Sequence, residues 1–333
     1  MDMSFEEIIS LITSLYYKKQ FSEAKALLSK AFELAKEADQ ASEEFRKDLT
    51  QLYGVAGDVM GELGENKESL QYYECFQCLK MQLTPNLFTD PHPSGILKLY
   101  QFRKFSDYAL ANLLNKELTL SRPAIMNDIA DSLINIWLIS PSFGATAQNK
   151  RHLEPYKESF KDYRIASFCE DNPQKKQYAV QNTLMWSHYA DEHRGFCIEY
   201  LFHRDDFRRD DFKNNSASRL FRINYRDSNK EPVDFEKVST FSTSDAFITK
   251  SNDWSYENEV RLLQYKPKQG ALREQYKLSA NTKISKIYFG YRCPEANIQI
   301  IKKLLKKSDV KFYKMKIDYS NVYKLKYTEL LDS

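Results

Sequence analysis

The sequence contains little glycine, proline or cysteine, and it lacks a long apolar run. Nine Gly and ten Pro in 333 residues are too few for a collagen-like or Pro/Gly-rich disordered chain. Five Cys, odd in number and widely spread, exclude the framework of a disulfide-rich secreted domain. No apolar run approaches the roughly 20 residues of a membrane span. The sequence therefore predicts a cytoplasmic protein, or a delivered effector without a signal peptide, and no membrane contact.

Metal and dinucleotide motifs are also missing. Cys75 and Cys78 have CxxC spacing but no second pair to complete a four-thiolate zinc site, so buried cysteines are favoured. His188 and His193 are five residues apart and would not share a helix face. Neither GxGxxG nor a Walker sequence occurs. We expect no metal site, no Rossmann site and no P-loop.

The charge is unevenly distributed along the chain. Residues 1–95 carry a net charge of −7 and the remainder carries +10, for a total of +3. A basic body is compatible with a phosphate-bearing ligand or with nucleic acid. Nucleic acid is possible but not favoured, because the C-terminal lysines near 302–316 fall opposite an apolar stripe at Ile300, Ile301, Leu304 and Leu305.

Apolar positions at three- and four-residue steps predict helical hairpins in residues 1–84. The run 21–32, FSEAKALLSKAF, resembles the second helix of a tetratricopeptide repeat, and a second copy follows around Gly57 and Gly64. Two hairpins are too few for a free-standing solenoid. We therefore expect a protein partner or self-association through residues 4–80, the alternative being an ordinary four-helix cap. Three Pro and a Gly predict a linker at 85–95.

From residue 96 to 333, short alternating runs separated by helical stretches predict a second domain. We expect an α+β fold overall: all-α hairpins first, then a mixed, largely antiparallel sheet. Five segments of this domain resemble the bacterial family catalogued as domain of unknown function 2971. They are LYQFR at 99–103, LTLSRPAIMND at 118–128, SFCE at 167–170, MWSHYADEHRGFC at 185–197 and WSYENEVRL at 254–262.

The order of three predicted strands is similar to that of ADP-ribosyltransferases, which use NAD. The resemblance implies that Arg103 binds the diphosphate, that Ser167 positions the ribose and that Glu259 stabilises the oxocarbenium ion, with Glu257 orienting the acceptor. Trp186, His188 and Tyr189 are expected to line the same pocket. Each residue also has a structural reading: Arg103 as an ion-paired strand end, Ser167 as an ordinary strand serine, the two glutamates as a salt-bridged strand edge.

These observations predict an ADP-ribosyltransferase-like enzyme whose repeats form a partner or sensor surface, in a bacterial conflict system or as an effector. The alternative is a non-catalytic nucleotide- or peptide-binding module scaffolded by the repeats. At a strand edge, replacing Glu259 by Gln is expected to remove activity with little loss of stability.

Overall fold

Four helices form the N-terminal region. A computed structural model describes residues 3–37, 42–83, 95–126, 161–203, 217–226, 247–266, 271–321 and 323–331. The helices are α1 (Phe5–Tyr17), α2 (Phe21–Glu37), α3 (Glu43–Glu62) and α4 (Asn66–Leu83). Within the described parts of residues 4–80 there is no strand, as predicted. The predicted linker falls, apart from Gly95, outside the described residues.

Small residues allow these helices to approach one another closely. Ala24 and Ala31 of α2 are fully buried. At Gly57 of α3, a Cβ atom would lie 3.1 Å from the Tyr73 ring of α4, and the Gly57 carbonyl accepts a hydrogen bond from the Ser69 hydroxyl at 2.8 Å. No described helix is long and apolar enough to cross a membrane.

In the described residues from 95 onward the second region is a mixed sheet with three further α-helices, which confirms the α+β fold class. The strands are β1 (Ile96–Arg103), β2 (Glu117–Ser121), β3 (Tyr163–Cys169), β4 (Phe196–His203), β5 (Ala217–Arg222), β6 (Asn224–Arg226), β7 (Thr249–Ser251), β8 (Glu259–Tyr265), β9 (Arg273–Lys277), β10 (Lys283–Phe289), β11 (Lys311–Ile317) and β12 (Leu325–Glu329). The helices are α5 (Asp107–Asn115), α6 (Thr183–Tyr189) and α7 (Glu295–Leu304). Ten strands pair into one sheet, antiparallel except where β10 meets β11, and β6 pairs with β7 separately.

Strand β3 is the branch point of the large sheet. Strand β8 pairs with β3 over the seven residues from Tyr163 to Cys169 and therefore occupies one edge completely. Strands β1 and β2 share the other edge, each through a single residue, Cys169 and Ile165 respectively. Consequently, the middle of β3, around Ser167, has no partner strand on that side among the described residues.

The helical region packs directly on the branch formed by β3, β8 and β5. Cys78 of α4 is buried in one apolar cluster with Tyr163, Phe247 and Tyr265. The Tyr163 hydroxyl donates a hydrogen bond of 3.1 Å to the Gln77 side-chain oxygen. The two regions therefore share part of one core.

This shared core can be tested with two neighbouring tyrosines. Tyr163→Phe removes the buried hydrogen bond to Gln77 and should lower the free energy of unfolding by about 0.5–1.5 kcal/mol, the usual net contribution of such a bond. The matched control is Tyr265→Phe, since the buried Tyr265 hydroxyl has no hydrogen-bond partner among the described residues and its ring lies 5.0 Å from that of Tyr163. Urea denaturation should show destabilisation of the first variant alone. Equal effects would contradict a role for the Gln77 contact.

Candidate functional site

A cleft of about 220 Å³ opens along the unpaired edge of β3. The ends of β1 and β2 line one side of it, and β8 with the segment before it lines another. Five of the seven predicted site residues lie in its wall: Arg103, Ser167, Tyr189, Glu257 and Glu259. The sheet's branching at β3 is thus what brings together residues that are up to 156 positions apart in the sequence.

Arg103, the last residue of β1, is a partly buried cation in this cleft. Burial lowers the pKa of its guanidinium and Arg273 lowers it further, while Tyr200 opposes the change. Within the described part of the chain, no hydrogen bond or ion pair to Arg103 is formed. A desolvated guanidinium without a counter-charge is unfavourable. The expected reading of Arg103 as an ion-paired strand end therefore finds no partner among the described residues.

Ser167 places a second unpartnered group in the cleft. Its hydroxyl oxygen is buried and has no hydrogen-bond partner of good geometry among the described residues, although it lies close enough to help lower the pKa of Glu259. The Ser167 carbonyl accepts a hydrogen bond of 3.3 Å from the Gln101 side chain, so the backbone polar groups of this residue point toward the gap between β1 and β3. In an antiparallel strand the N–H of a residue points to the same side as its carbonyl.

Glu257 and Glu259 belong to a buried network with two cations. The Lys250 amine lies 2.7 Å from Glu257 and 3.2 Å from Glu259, and Arg261 contacts Glu259 through Nε at 2.7 Å and Nη2 at 3.1 Å. Arg261 also donates to the Phe247 carbonyl at 2.7 Å. Both glutamates are 4% exposed. The network contains two positive and two negative groups, so its formal charge is zero.

The local backbone explains why both carboxylates reach the cleft. Asn258, between them, has a left-handed conformation with φ of 46°, which Asn tolerates better than most residues. Its side chain donates to the Glu170 carbonyl at 2.8 Å. Glu259 then begins β8 opposite Cys169, and Arg261 lies opposite Ser167 on the same face.

The two carboxylates differ in their protonation. Burial raises the pKa of Glu257, and the neighbouring Glu259 raises it further, against the effect of Lys250. For Glu259, burial again opposes ionisation, but Arg261 and Lys250 outweigh it and hold the pKa at about 2. Glu259 therefore keeps its negative charge at neutral pH, whereas Glu257 is the more readily protonated of the two.

Helix α6 contributes one of its predicted residues to the cleft. The Tyr189 hydroxyl donates a hydrogen bond of 2.5 Å to Glu257. Trp186 is fully buried, donates from Nε1 to the Val180 carbonyl at 2.8 Å and does not line the cleft. His188 is exposed and contacts the Tyr256 hydroxyl at 2.9 Å, also outside the cleft. Trp186 is therefore a residue of the aromatic core rather than of the cleft wall.

Sequence reasoning missed several residues of the cleft, above all Lys250. Lys250 lies in the short strand β7, and its amine contacts the Trp254 ring at 4.7 Å as well as both glutamates. A lysine in a polar segment carries no local signal of burial. No group of three or more metal-ligating side chains is found among the described residues.

Comparison with known proteins gives one match. Residues 185–262 match the family described as "Protein of unknown function (DUF2971)". This part of the chain carries Tyr189, Lys250, Glu257 and Glu259 but neither Arg103 nor Ser167. No curated protein and no solved structure is detectably similar to the chain.

The expected stability of a Glu259 variant must be corrected. Strand β8 is not an edge, because it pairs with both β3 and β5. Glu259→Gln leaves Arg261 and Lys250 buried without their shared carboxylate, so we expect a loss of about 3–5 kcal/mol in the free energy of unfolding.

The matched control for this prediction is Glu329→Gln, because Glu329 lies 4.0 Å from Lys311 at the surface. Exposed ion pairs contribute little, so this variant should unfold with the wild type. Urea denaturation compares the two. If Glu259→Gln unfolds at the same urea concentration as the wild type, the ion-pair network does not stabilise the position of β8.

Proposed function

We propose that the region from residue 96 onward is an ADP-ribosyltransferase-like enzyme that uses NAD as its substrate. The observation that carries the proposal is a cation without a counter-charge among the described residues: Arg103 lies in one cleft with an unpartnered hydroxyl and two buried carboxylates. A guanidinium binds phosphate oxygens in a bidentate manner. Burial of an anionic ligand against Arg103 would offset the cost of leaving that charge desolvated.

The size of the cleft fits the reacting half of NAD rather than the whole molecule. Pockets that enclose drug-sized ligands measure roughly 300–1,000 Å³, and this one measures about 220 Å³. Nicotinamide and its ribose would therefore occupy the cleft beside Ser167. The diphosphate would lie at Arg103, with the adenosine end outside.

The two carboxylates then have different tasks. Breaking the bond between the ribose C1′ and the nicotinamide nitrogen leaves the electron pair on that nitrogen, so neutral nicotinamide departs and positive charge develops on the ribose. Glu259, ionised at neutral pH, supplies a fixed negative charge to that cation. An acceptor, or water, forms the new bond to C1′ and gives its proton to Glu257.

The N-terminal helices form the second part of the proposal. Their acidic charge and small number support a tetratricopeptide-like surface for a protein partner or for self-association, and the contact of α4 with the β3 branch would link such binding to the cleft. An enzyme of this organisation fits a cytoplasmic sensor in bacterial conflict or a delivered effector.

One observation favours a non-catalytic alternative. Because Glu257, Glu259, Lys250 and Arg261 already compensate one another, the network can be a structural element beside a nucleotide- or peptide-binding cleft. Such a module would bind NAD or another nucleotide at Arg103 without releasing nicotinamide.

The proposal is tested first at Arg103. Arg103→Gln should lower kcat/KM for nicotinamide release from NAD by about 10²-fold or more, the scale of losing one preorganised electrostatic contact. Its free energy of unfolding should be unchanged or higher, because the substitution removes a desolvated charge that no described carboxylate compensates. Lys104→Gln, at the exposed neighbouring position, is the control for net charge. Wild-type protein that releases no nicotinamide overturns the proposal.

A second test uses the pH dependence that Glu257 should impose. The base must be ionised, and its pKa is raised, so activity should fall with decreasing pH at a value above the ordinary Glu pKa of about 4.3. Glu257→Gln should reduce the rate by about 10²–10⁴-fold and remove this acid limb. Circular dichroism confirms that the variant is folded at each pH. Persistence of the same limb in Glu257→Gln would assign it to another group.

A further inference from the structure

A second cavity lies on the other side of Glu257. Its volume is about 230 Å³, and it shares Met185 and Glu257 with the cleft described above. Tyr256 and Asn258, which flank Glu257 in the sequence, also line the second cavity. Residue Glu257 therefore belongs to the walls of both cavities.

The second cavity is lined by cations that lack ion-pair partners. Lys176 and Lys324 lie in its wall, and their amines form no ion pair within the described residues. The acidic residue Glu170 is also there, but Arg222 holds it through Nε at 2.6 Å and Nη2 at 3.2 Å. The charged groups of this cavity without an ion pair among the described residues are thus the two lysines, so the cavity is suited to an anionic ligand.

Aromatic and amide side chains accompany these lysines. Tyr178 is 41% exposed and Tyr323 is 85% exposed, and both line the cavity. Gln177 and Gln181 line it as well, whereas the amide of Asn182, also in the wall, already caps α6 and donates to the Tyr256 carbonyl at 2.9 Å. Exposed aromatic rings beside cations stack nucleobases, and side-chain amides can bond to base edges. An acidic peptide would use the lysines but would gain little from the rings.

A second basic surface adjoins the turn between β11 and β12. That turn carries Tyr323 in the second cavity and Tyr319, 82% exposed, in a further concavity with Tyr291 and Lys314. In the same concavity, Lys316 and Lys326 lie directly opposite each other on the two strands. Like charges in this position repel, and a bound polyanion would remove that cost.

We infer that the second cavity binds single-stranded nucleic acid as the acceptor of the ADP-ribosyl group. The inference rests on the proposed function. A base stacked on Tyr178 and Tyr323 would present a nitrogen or oxygen to C1′ past Glu257, and the strand would continue over the turn at Tyr319. The new bond forms from that atom to C1′, nicotinamide leaves with its electron pair, and the displaced proton goes to Glu257.

Binding is measured by fluorescence anisotropy with a labelled mixed-sequence single-stranded oligonucleotide across a salt series. Wild-type protein should bind, and the double variant Lys176→Gln/Lys324→Gln should bind at least tenfold more weakly at low salt. For every phosphate that the variant no longer neutralises, the slope of log affinity against log salt should decrease by about 0.7. Tyr323→Ala should weaken binding without changing that slope. Lys307→Gln, an exposed lysine beyond α7, is the control and should behave as wild type.

Three results of the binding measurement would overturn the inference: no binding by wild-type protein, unchanged affinity in the double variant, or equal competition by a polyglutamate peptide. The oligonucleotide should also become labelled by radioactive NAD, and the double variant should lose this labelling while still releasing nicotinamide to water. Binding without any nicotinamide release would instead refute the proposed function and leave the nucleic-acid site standing. Nicotinamide release with no oligonucleotide labelling by wild-type protein would refute the acceptor.

Discussion

The ion pair between Arg261 and Glu259 connects the cleft to the apolar core beneath the helical region. Arg261 is fully buried, is bound by Glu259 on its own strand and donates to the Phe247 carbonyl. Phe247 in turn packs in the apolar cluster that contains Cys78 of α4. One guanidinium therefore joins the strand at the cleft to the surface on which the helical region is seated. Because removing one partner of a buried pair leaves the other uncompensated, this contact fixes the position of β8 strongly.

Two kinds of charged or polar group meet in the cleft, and their energetics differ. In the buried network, each charged group is paired with an opposite charge: Lys250 with Glu257 and Glu259, and Arg261 with Glu259. This network stabilises the fold whether or not a ligand is bound. Arg103 is desolvated without a described hydrogen-bond or ion-pair partner, and the buried Ser167 hydroxyl has no described hydrogen bond of good geometry, only its proximity to Glu259. Buried polar groups that lack a partner lower the stability of the fold, and where they line a cleft, a ligand can supply the missing hydrogen bonds. This contrast is the physical reason for assigning binding to β1 and β3.

Much of this fold could be predicted from the sequence because its apolar residues keep a clear period. Strands β1, β3, β4 and β8 alternate or are continuously apolar, and α1 and α2 have the helical repeat. Strands β9 and β12 were missed because REQYK and LKYTE are polar on both faces, with exposed side chains at most positions. Nothing in such a segment distinguishes a strand at the margin of a sheet from a loop.

The candidate site was predictable in its strand residues and not in its helix residues. Arg103, Ser167 and Glu259 follow from strand order, since antiparallel neighbours bring particular positions together, and Glu257 lies only two residues before β8. Trp186 and His188 share a seven-residue helix with Tyr189, yet only Tyr189 reaches the cleft. The sequence of so short a helix does not determine which of its faces is directed toward the cleft. Its rotation is set by the Trp186 bond to Val180, in the turn just before the helix, and by the Tyr189 bond to Glu257, which lies in a distant segment.

Contacts with distant segments also explain how two cavities come to share residue Glu257. Glu257 ends a 3-10 turn, and the left-handed Asn258 reverses the chain before β8 begins, with its side chain bonded to the Glu170 carbonyl. Glu170 itself follows β3 and is held by Arg222 at the end of β5. Contacts from β3, β5 and the start of β8 therefore meet at Glu170 and fix the turn that carries Glu257. Because Glu257 lies in the walls of both cavities, a transfer between ligands bound in them would take place beside one rigidly held residue.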